Sequence, residues 1–345
     1  MFPHMTNIRT LKAKTPGDLL AVVPYVLGFH PEDSLVLLTL GEADDRFHAR
    51  VDLPRDAADF PEVIEMLNDA ATRNGVRRVA IVAYSDDQCV SLELVGRLQS
   101  VLEDGGVTVV EAIRGDGERW FSLSGCTGPC CPEDGTPYDV GSHQLTAQSV
   151  LDGQVTLGSR EELADSLVGN DPEAIDAVEE SAGRAMDCFK AASRHPLGPP
   201  APETARAHLV QEGHWVADRV RRFLADGEAL DADDAGRMLV AMVAIDIRDV
   251  AWAEMSRANA NRHIDLWRDL VRRSPYDLMA PPAALLGFSA WLSGDGALAW
   301  CAVERCQEAE PDYRLAALLT DALAGAVPPS AWSPVKRGDL TLFAS

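Results

Sequence analysis

Three of the seven cysteines fall within six residues, in Cys126-Thr127-Gly128-Pro129-Cys130-Cys131-Pro132-Glu133-Asp134-Gly135-Thr136-Pro137-Tyr138-Asp139. Clustered thiols can ligate zinc, exchange as a redox pair, or fill a tight turn as small hydrophobes. Structural zinc takes four tetrahedral ligands, commonly from two C-x2–4-C pairs. Here one C-x3-C and an adjacent thiol give three donors, and His143 is the nearest fourth. The candidate metal set is therefore Cys126, Cys130, Cys131 and His143, with zinc the cofactor it would hold. Cys126 with Cys130 or Cys131 is the redox alternative, and a buried turn is the reading that requires no chemistry.

Two further segments carry groups suited to acid–base work or ligand binding. In Gly28-Phe29-His30-Pro31-Glu32-Asp33-Ser34, His30 with Glu32 or Asp33 could exchange protons. The same residues also suit a helix-to-strand turn whose carboxylate caps local amides. Asp52, in Arg50-Val51-Asp52-Leu53-Pro54, alternates to the face opposite Val51 and Leu53; solvent exposure is the plain account of it. Tyr84-Ser85-Asp86-Asp87 closes an apolar run, and in open α/β sheets ligands settle beyond the carboxyl ends of strands. Tyr84, Ser85 and Asp86 are thus ligand candidates, although Asp86 and Asp87 equally suit a helix cap. Familiar signatures are missing: the chain has no G-x-G-x-x-G, G-x4-G-K-[ST], H-E-x-x-H, G-x-S-x-G or kinase set. Asp231-Ala232-Asp233-Asp234-Ala235-Gly236 superficially matches a calcium loop, but Met242 stands where the bidentate carboxylate belongs.

The elements that must position these groups are readable from periodicity. Thr15-Pro16-Gly17-Asp18 is a helix start, and the helix Leu19 to Leu27 stops at Gly28. Strands are expected at Leu35–Leu40, Phe47–Leu53, Val79–Tyr84, Val107–Ile113 and Arg119–Leu123. Amphipathic helices fall between the second and third strands (Phe60, Val63, Ile64, Leu67, Ala71) and between the third and fourth (Val90, Leu94, Leu98, Val101, Leu102). Strands two, three and four should then share one direction, with hairpins at both ends making a mixed five-stranded sheet. Val155-Thr156-Leu157 is a last extended piece, and Ser159 with Glu162 reads as a capping box.

Beyond it the sequence is helical from Pro172 to His195, and Pro196 to Pro202 is a stiff connector. Six helices follow, over 203–224, 234–255, 261–273, 282–292, 297–307 and 313–323. Residues 280–313 resemble one tetratricopeptide unit: Leu286-Gly287, Ala290, Ala299, Val303 and Pro311 stand at that repeat's spacings. A second, degraded unit ends at Pro275, with His263 where a small residue belongs. The expected organisation is an α/β domain with a Cys-rich loop over 1–168, a helix and connector over 169–202, a tetratricopeptide-like helical-hairpin domain over 203–327, and an extended tail over 328–345.

Composition bounds the function. The 345 residues are 46% hydrophobic and 25% charged, ordinary for a globular chain with a real core, and the net charge is −23. Spread over both halves, that field repels phosphate backbones and anionic lipid, so direct nucleic-acid binding is not expected. No stretch approaches the ~20 apolar residues of a membrane span, and the first 15 lack a signal-like apolar core. A cytoplasmic setting with reduced cysteines is the expectation.

The chain resembles the actinobacterial domain-of-unknown-function family numbered 4192. The likeness rests on Pro16-Gly17-Asp18-Leu19-Leu20, on Leu27 to Val36, on Arg50 to Pro54, on Cys130-Cys131-Pro132 through Gly135-Thr136-Pro137, and on Gly294-Asp295-Gly296-Ala297 and Pro328 to Trp332. It implies an actinobacterial, cytoplasmic source and transfers no catalytic residue. The leading expectation is a non-catalytic binding or scaffolding protein, its helical half engaging a protein partner and its α/β half a small ligand or partner. The alternatives are an enzyme built on His30, Asp33, Asp52 and the Cys126–Cys131 loop, and an acidic regulator of a DNA-binding or transcription protein.

Overall fold

The computed structural model describes residues 13, 15–41, 47–125, 131–144, 146–147, 156–192 and 202–343. The chain divides into two units, residues 1–160 and 161–345. Cys126 and Cys130, and most of the 196–202 connector, lie outside the described residues.

The first unit begins with α1 (Pro16–Leu27). Its start is held by a reciprocal cap. The Asp18 amide donates to Thr15 Oγ1 at 3.2 Å, and the Thr15 amide to Asp18 Oδ2 at 3.0 Å. Gly28 ends the helix in the left-handed region, φ 78°, where a Cβ would be strained. Then come β1 (Ser34–Thr39), β2 (His48–Asp52), α2 (Phe60–Arg73), β3 (Arg78–Tyr84), α3 (Gln88–Asp104), β4 (Thr108–Gly115), β5 (Arg119–Ser122) and β6 (Thr136–Pro137).

The sheet is mixed and six-stranded, in the order β2-β1-β3-β4-β5-β6. β1 is antiparallel to both β2 and β3, and β3 is parallel to β4. Strands β2, β3 and β4 therefore do share one direction, but β1 inserts between the first two. The sequence predicts five strands. The sixth is a two-residue piece of the Cys-rich loop, too short and too proline-rich to show a period-2 pattern.

Side-chain alternation gives the sheet two faces. Leu35, Leu37, Val79, Ile81, Ala83 and Ala112 pack under Phe60, Ile64 and Leu67 of α2 and Leu94, Leu98 and Leu102 of α3. The other face lies under α1, where Leu20 touches the tip of Tyr84 and the space above Gly115.

The second unit is helical. It holds α4 (Arg160–Asp165, beginning at the unit boundary), α5 (Pro172–Ala192), α6 (Pro202–Asp226), α7 (Ala232–Met242), α8 (Ile245–Ala253), α9 (Ala260–Arg273), α10 (Ala280–Ser293), α11 (Gly296–Ala309) and α12 (Arg314–Ala324). Residues 280–292 of α10 are all buried, so it is the helix around which its neighbours α9 and α11 pack. The single helix expected over 234–255 is two, α7 and α8. They break at Ala244, which is extended (ψ 115°); with no Gly or Pro there, no local signal marks the break. The tail is not merely extended: it forms 3-10 turns at Pro329–Ala331 and Arg337–Asp339, and Leu340 and Leu342 are buried. Among the described residues no helix is long and apolar enough to cross a membrane.

Candidate functional site

One rank of residues crosses the whole sheet at the edge where β2, β3 and β4 end. The register pairs Asp52 with Ser34, Ser34 with Tyr84, Tyr84 with Gly115, Gly115 with Trp120, and Trp120 with Thr136. Directly paired residues project to one face. Since Leu35 faces α2 and α3, this rank faces the α1 side. Its β5–β6 end opens into a cavity of about 330 Å³ lined by Thr15, Pro16, Gly17, Trp120, Thr136, Pro137, Tyr138, Asp139 and His143. That volume lies at the small end of ligand pockets.

The cavity wall is built by the end of the Cys-rich loop, and β5 holds that loop in place. Arg119 Nη1 donates to the carbonyls of Asp134 and Gly135, each at 2.8 Å. The Tyr138 amide donates to Glu118 O at 3.0 Å. Gly135 adopts φ 73°, and a Cβ on it would stand 2.6 Å from the Phe121 ring, so only glycine lets the loop lie this close to β5.

His143 completes the site. Its Nε2 lies 3.0 Å from Asp18 Oδ1, joining the loop that follows β6 to the first turn of α1. Both side chains are mostly buried, 26% and 19% exposed, so the pair is partly shielded from water. Across the cavity, Asp139 Oδ1 accepts from the amides of Gly141 (2.9 Å) and Ser142 (3.4 Å). The Ser142 hydroxyl, then the Ser142 and Gly141 amides, hold its carboxyl below the usual carboxylate range. Two phenols are close by: Tyr138 lines the cavity, and Tyr84 stands on the sheet rank opposite Gly115. Burial pushes Tyr84 well up, with Tyr138 adding to it; burial also pushes Tyr138 up, opposed by the Gly117 amide. Both stay neutral at ordinary pH.

The residues singled out from sequence fall into separate groups. Asp33, Asp52, Tyr84 and Ser85 share the strand-end edge. The Asp52 carboxylate reaches Arg50 at 2.7 Å and is solvent-exposed; Asp33 accepts the Leu53 amide at 2.7 Å through its carbonyl, in a left-handed turn at φ 39°. His30 is exposed, its amide bonded to Leu157 O at 2.9 Å. Tyr84 Oη points at Leu20 O (3.5 Å). Ser85 Oγ accepts the Asp87 amide (3.0 Å), and Asp87 Oδ1 caps α3 through the Val90 amide (2.9 Å); Asp86 is exposed beside it. Cys131 is half-buried, and His143 engages Asp18. Among the described residues no group of three or more His, Cys, Asp or Glu is arranged to hold a metal ion.

In the sequence Asp18 reads only as a helix cap and His143 only as a fourth metal donor, while Trp120, Tyr138 and Asp139 do not stand out. The available signal was an aromatic and a carboxylate closing a loop dense in turn formers.

Fold and cavity together define a chain with a mixed α/β unit carrying a half-open polar–aromatic site, and a helical unit. The chain belongs to the family described as a domain of unknown function, DUF4192, whose model matches residues 16–330. No curated protein and no solved structure matches it.

Proposed function

We propose that this is a binding protein: its α/β unit holds a small ligand in the cavity at the start of α1, and its helical unit engages a protein partner. The observation that carries the first half is the cavity itself, where apolar walls of Trp120, Tyr138, Pro16 and Pro137 meet the polar His143–Asp18 pair. A few convergent polar groups in a mostly apolar concavity are the usual make-up of a ligand site. Support for the second half is architectural. Helices α10 and α11 pack as neighbours, and the Cβ position of Gly287 lies 3.3 Å from Val303, a small-on-apolar contact of the kind a tetratricopeptide-like hairpin would use.

Gly17 gives the test. It lines the cavity, and a Cβ there meets only Thr15 Oγ1 at an ordinary 3.8 Å, so Gly17→Leu fills the space without straining the helix. Screening small molecules by saturation-transfer NMR should give hits that bind the wild type and are lost in Gly17→Leu at unchanged melting temperature. A screen in which no compound distinguishes the two proteins contradicts the reading.

One observation favours a second reading, an enzyme. A histidine hydrogen-bonded to a carboxylate on a cavity wall is the arrangement of an oriented general base. It would move the acid–base chemistry from His30, Asp33 and Asp52 to His143 and Asp18. Any turnover of a cavity ligand should then vanish in His143→Gln while binding persists; unchanged turnover would remove this reading.

A further inference from the structure

The charge and shape of the cavity lining narrow the ligand class. Of its nine lining residues, only Asp139 carries a carboxylate and only His143 can carry a positive charge; Asp18 stands behind the lining, its Oδ1 3.0 Å from His143 Nε2. The aromatic residues are Trp120, on the sheet rank, and Tyr138, above Gly115. Net charge on the whole chain is −23, so the surrounding field has the same sign.

An anion is disfavoured on two counts. It would meet the Asp139 carboxylate and the field of Asp18 behind His143, and the positive end of α1 is already occupied: Thr15 and Asp18 cap each other there. A ligand bearing several N–H donors is also poorly matched. Asp18 Oδ1 faces His143 and its Oδ2 faces the Thr15 amide, while Asp139 Oδ1 is turned to Gly141 and Ser142. What Asp18 still offers is mainly field. A positive charge spread over methyl groups needs no acceptor and gains from aromatic faces together with a negative potential.

We infer that the cavity takes a small organic cation of the methylated-ammonium class, seated against Trp120 and Tyr138 in the field of Asp18 and Asp139. This rests on the ligand-site reading above and goes beyond it in naming the ligand's charge and type.

Calorimetric titration of the full chain with choline, with its neutral carbon isostere 3,3-dimethyl-1-butanol, and with acetate tests it. Choline should bind one site, with the isostere weaker by about tenfold or more, the scale of a partly desolvated cation–π contact, and with acetate showing no binding. Asp139→Asn keeps the Oδ1 acceptor and removes only charge; it should weaken choline severalfold while leaving the isostere unchanged. Tyr138→Leu should weaken choline as well. Equal affinity for choline and the isostere, or no choline binding, overturns the cation class while the pocket reading is still judged by the Gly17→Leu screen. Choline binding that survives Gly17→Leu, Tyr138→Leu and Asp139→Asn together places the cation elsewhere and overturns the assignment of this cavity to a cation.

Discussion

His263 should make the helical unit lose stability in mild acid. The side chain is fully buried in α9, stacked on Trp267 at 6.2 Å, with Nε2 3.2 Å from the Glu254 carbonyl. Nε2 therefore carries the proton, and Nδ1 is buried with no partner. Protonation would place a second N–H where nothing accepts it, so burial pushes the group down to about 4, against the raising effect of the Glu254 bond. An unfolded histidine titrates near 6.5. Below that pH the unfolded chain takes up a proton that the folded chain refuses, so stability is full above about 6.5 and falls as pH drops towards about 4. Between pH 7.5 and pH 5 the loss from this one group is roughly 2 kcal/mol. His263→Gln keeps an N–H for the carbonyl and removes the titration. Denaturant unfolding followed by tryptophan emission reads the right unit, because Trp120 is the only one of the seven tryptophans outside it. The wild type should lose about 2 kcal/mol more than His263→Gln across that interval. Parallel pH profiles for the two proteins would refute the reasoning.

Two other changes probe packing in the same unit. Gly236 of α7 lies so close to α5 that a Cβ would stand 2.6 Å from the Ala182 amide nitrogen. Gly236→Ala should destabilise by about 1–3 kcal/mol in the same unfolding assay, since backbone rather than a side-chain tip must give way. In the tail, Leu342 is 4% exposed and reaches over Gly213 of α6 towards Val250 of α8. Leu342→Ala should lower stability by about 2 kcal/mol, at the low end for a buried leucine. A melting temperature equal to wild type would mean that the tail adds no stability.

The parts of the fold visible in the sequence were those with strong local causes. Thr15, Pro16 and Asp18 announce α1 because capping chemistry is local, and Gly28 ends it for the same reason. The run Leu35–Leu38 is apolar throughout because β1 is buried on both faces, between β2 and β3. What was hidden depends on distant partners. Thr136 and Pro137 become a strand only because β5 offers an edge, and α7 separates from α8 without any breaker residue. The site was hidden for a related reason. His143 and Asp18 are 125 positions apart and meet only because the sheet brings the loop after β6 to the start of α1. Chemistry-bearing residue types drew attention to His30 and the thiols. The cavity instead uses a capping carboxylate, a loop histidine and two aromatic residues, whose ordinary roles are structural.

Backbone amide shifts of the α/β unit, recorded in the full chain during a choline titration, test the central claim most directly. Saturable changes are expected, concentrated at Thr15, Gly17, Trp120, Thr136, Tyr138, Asp139 and His143. Changes centred on the strand-end edge at Asp33 and Asp52, or confined to the helical unit, would contradict it.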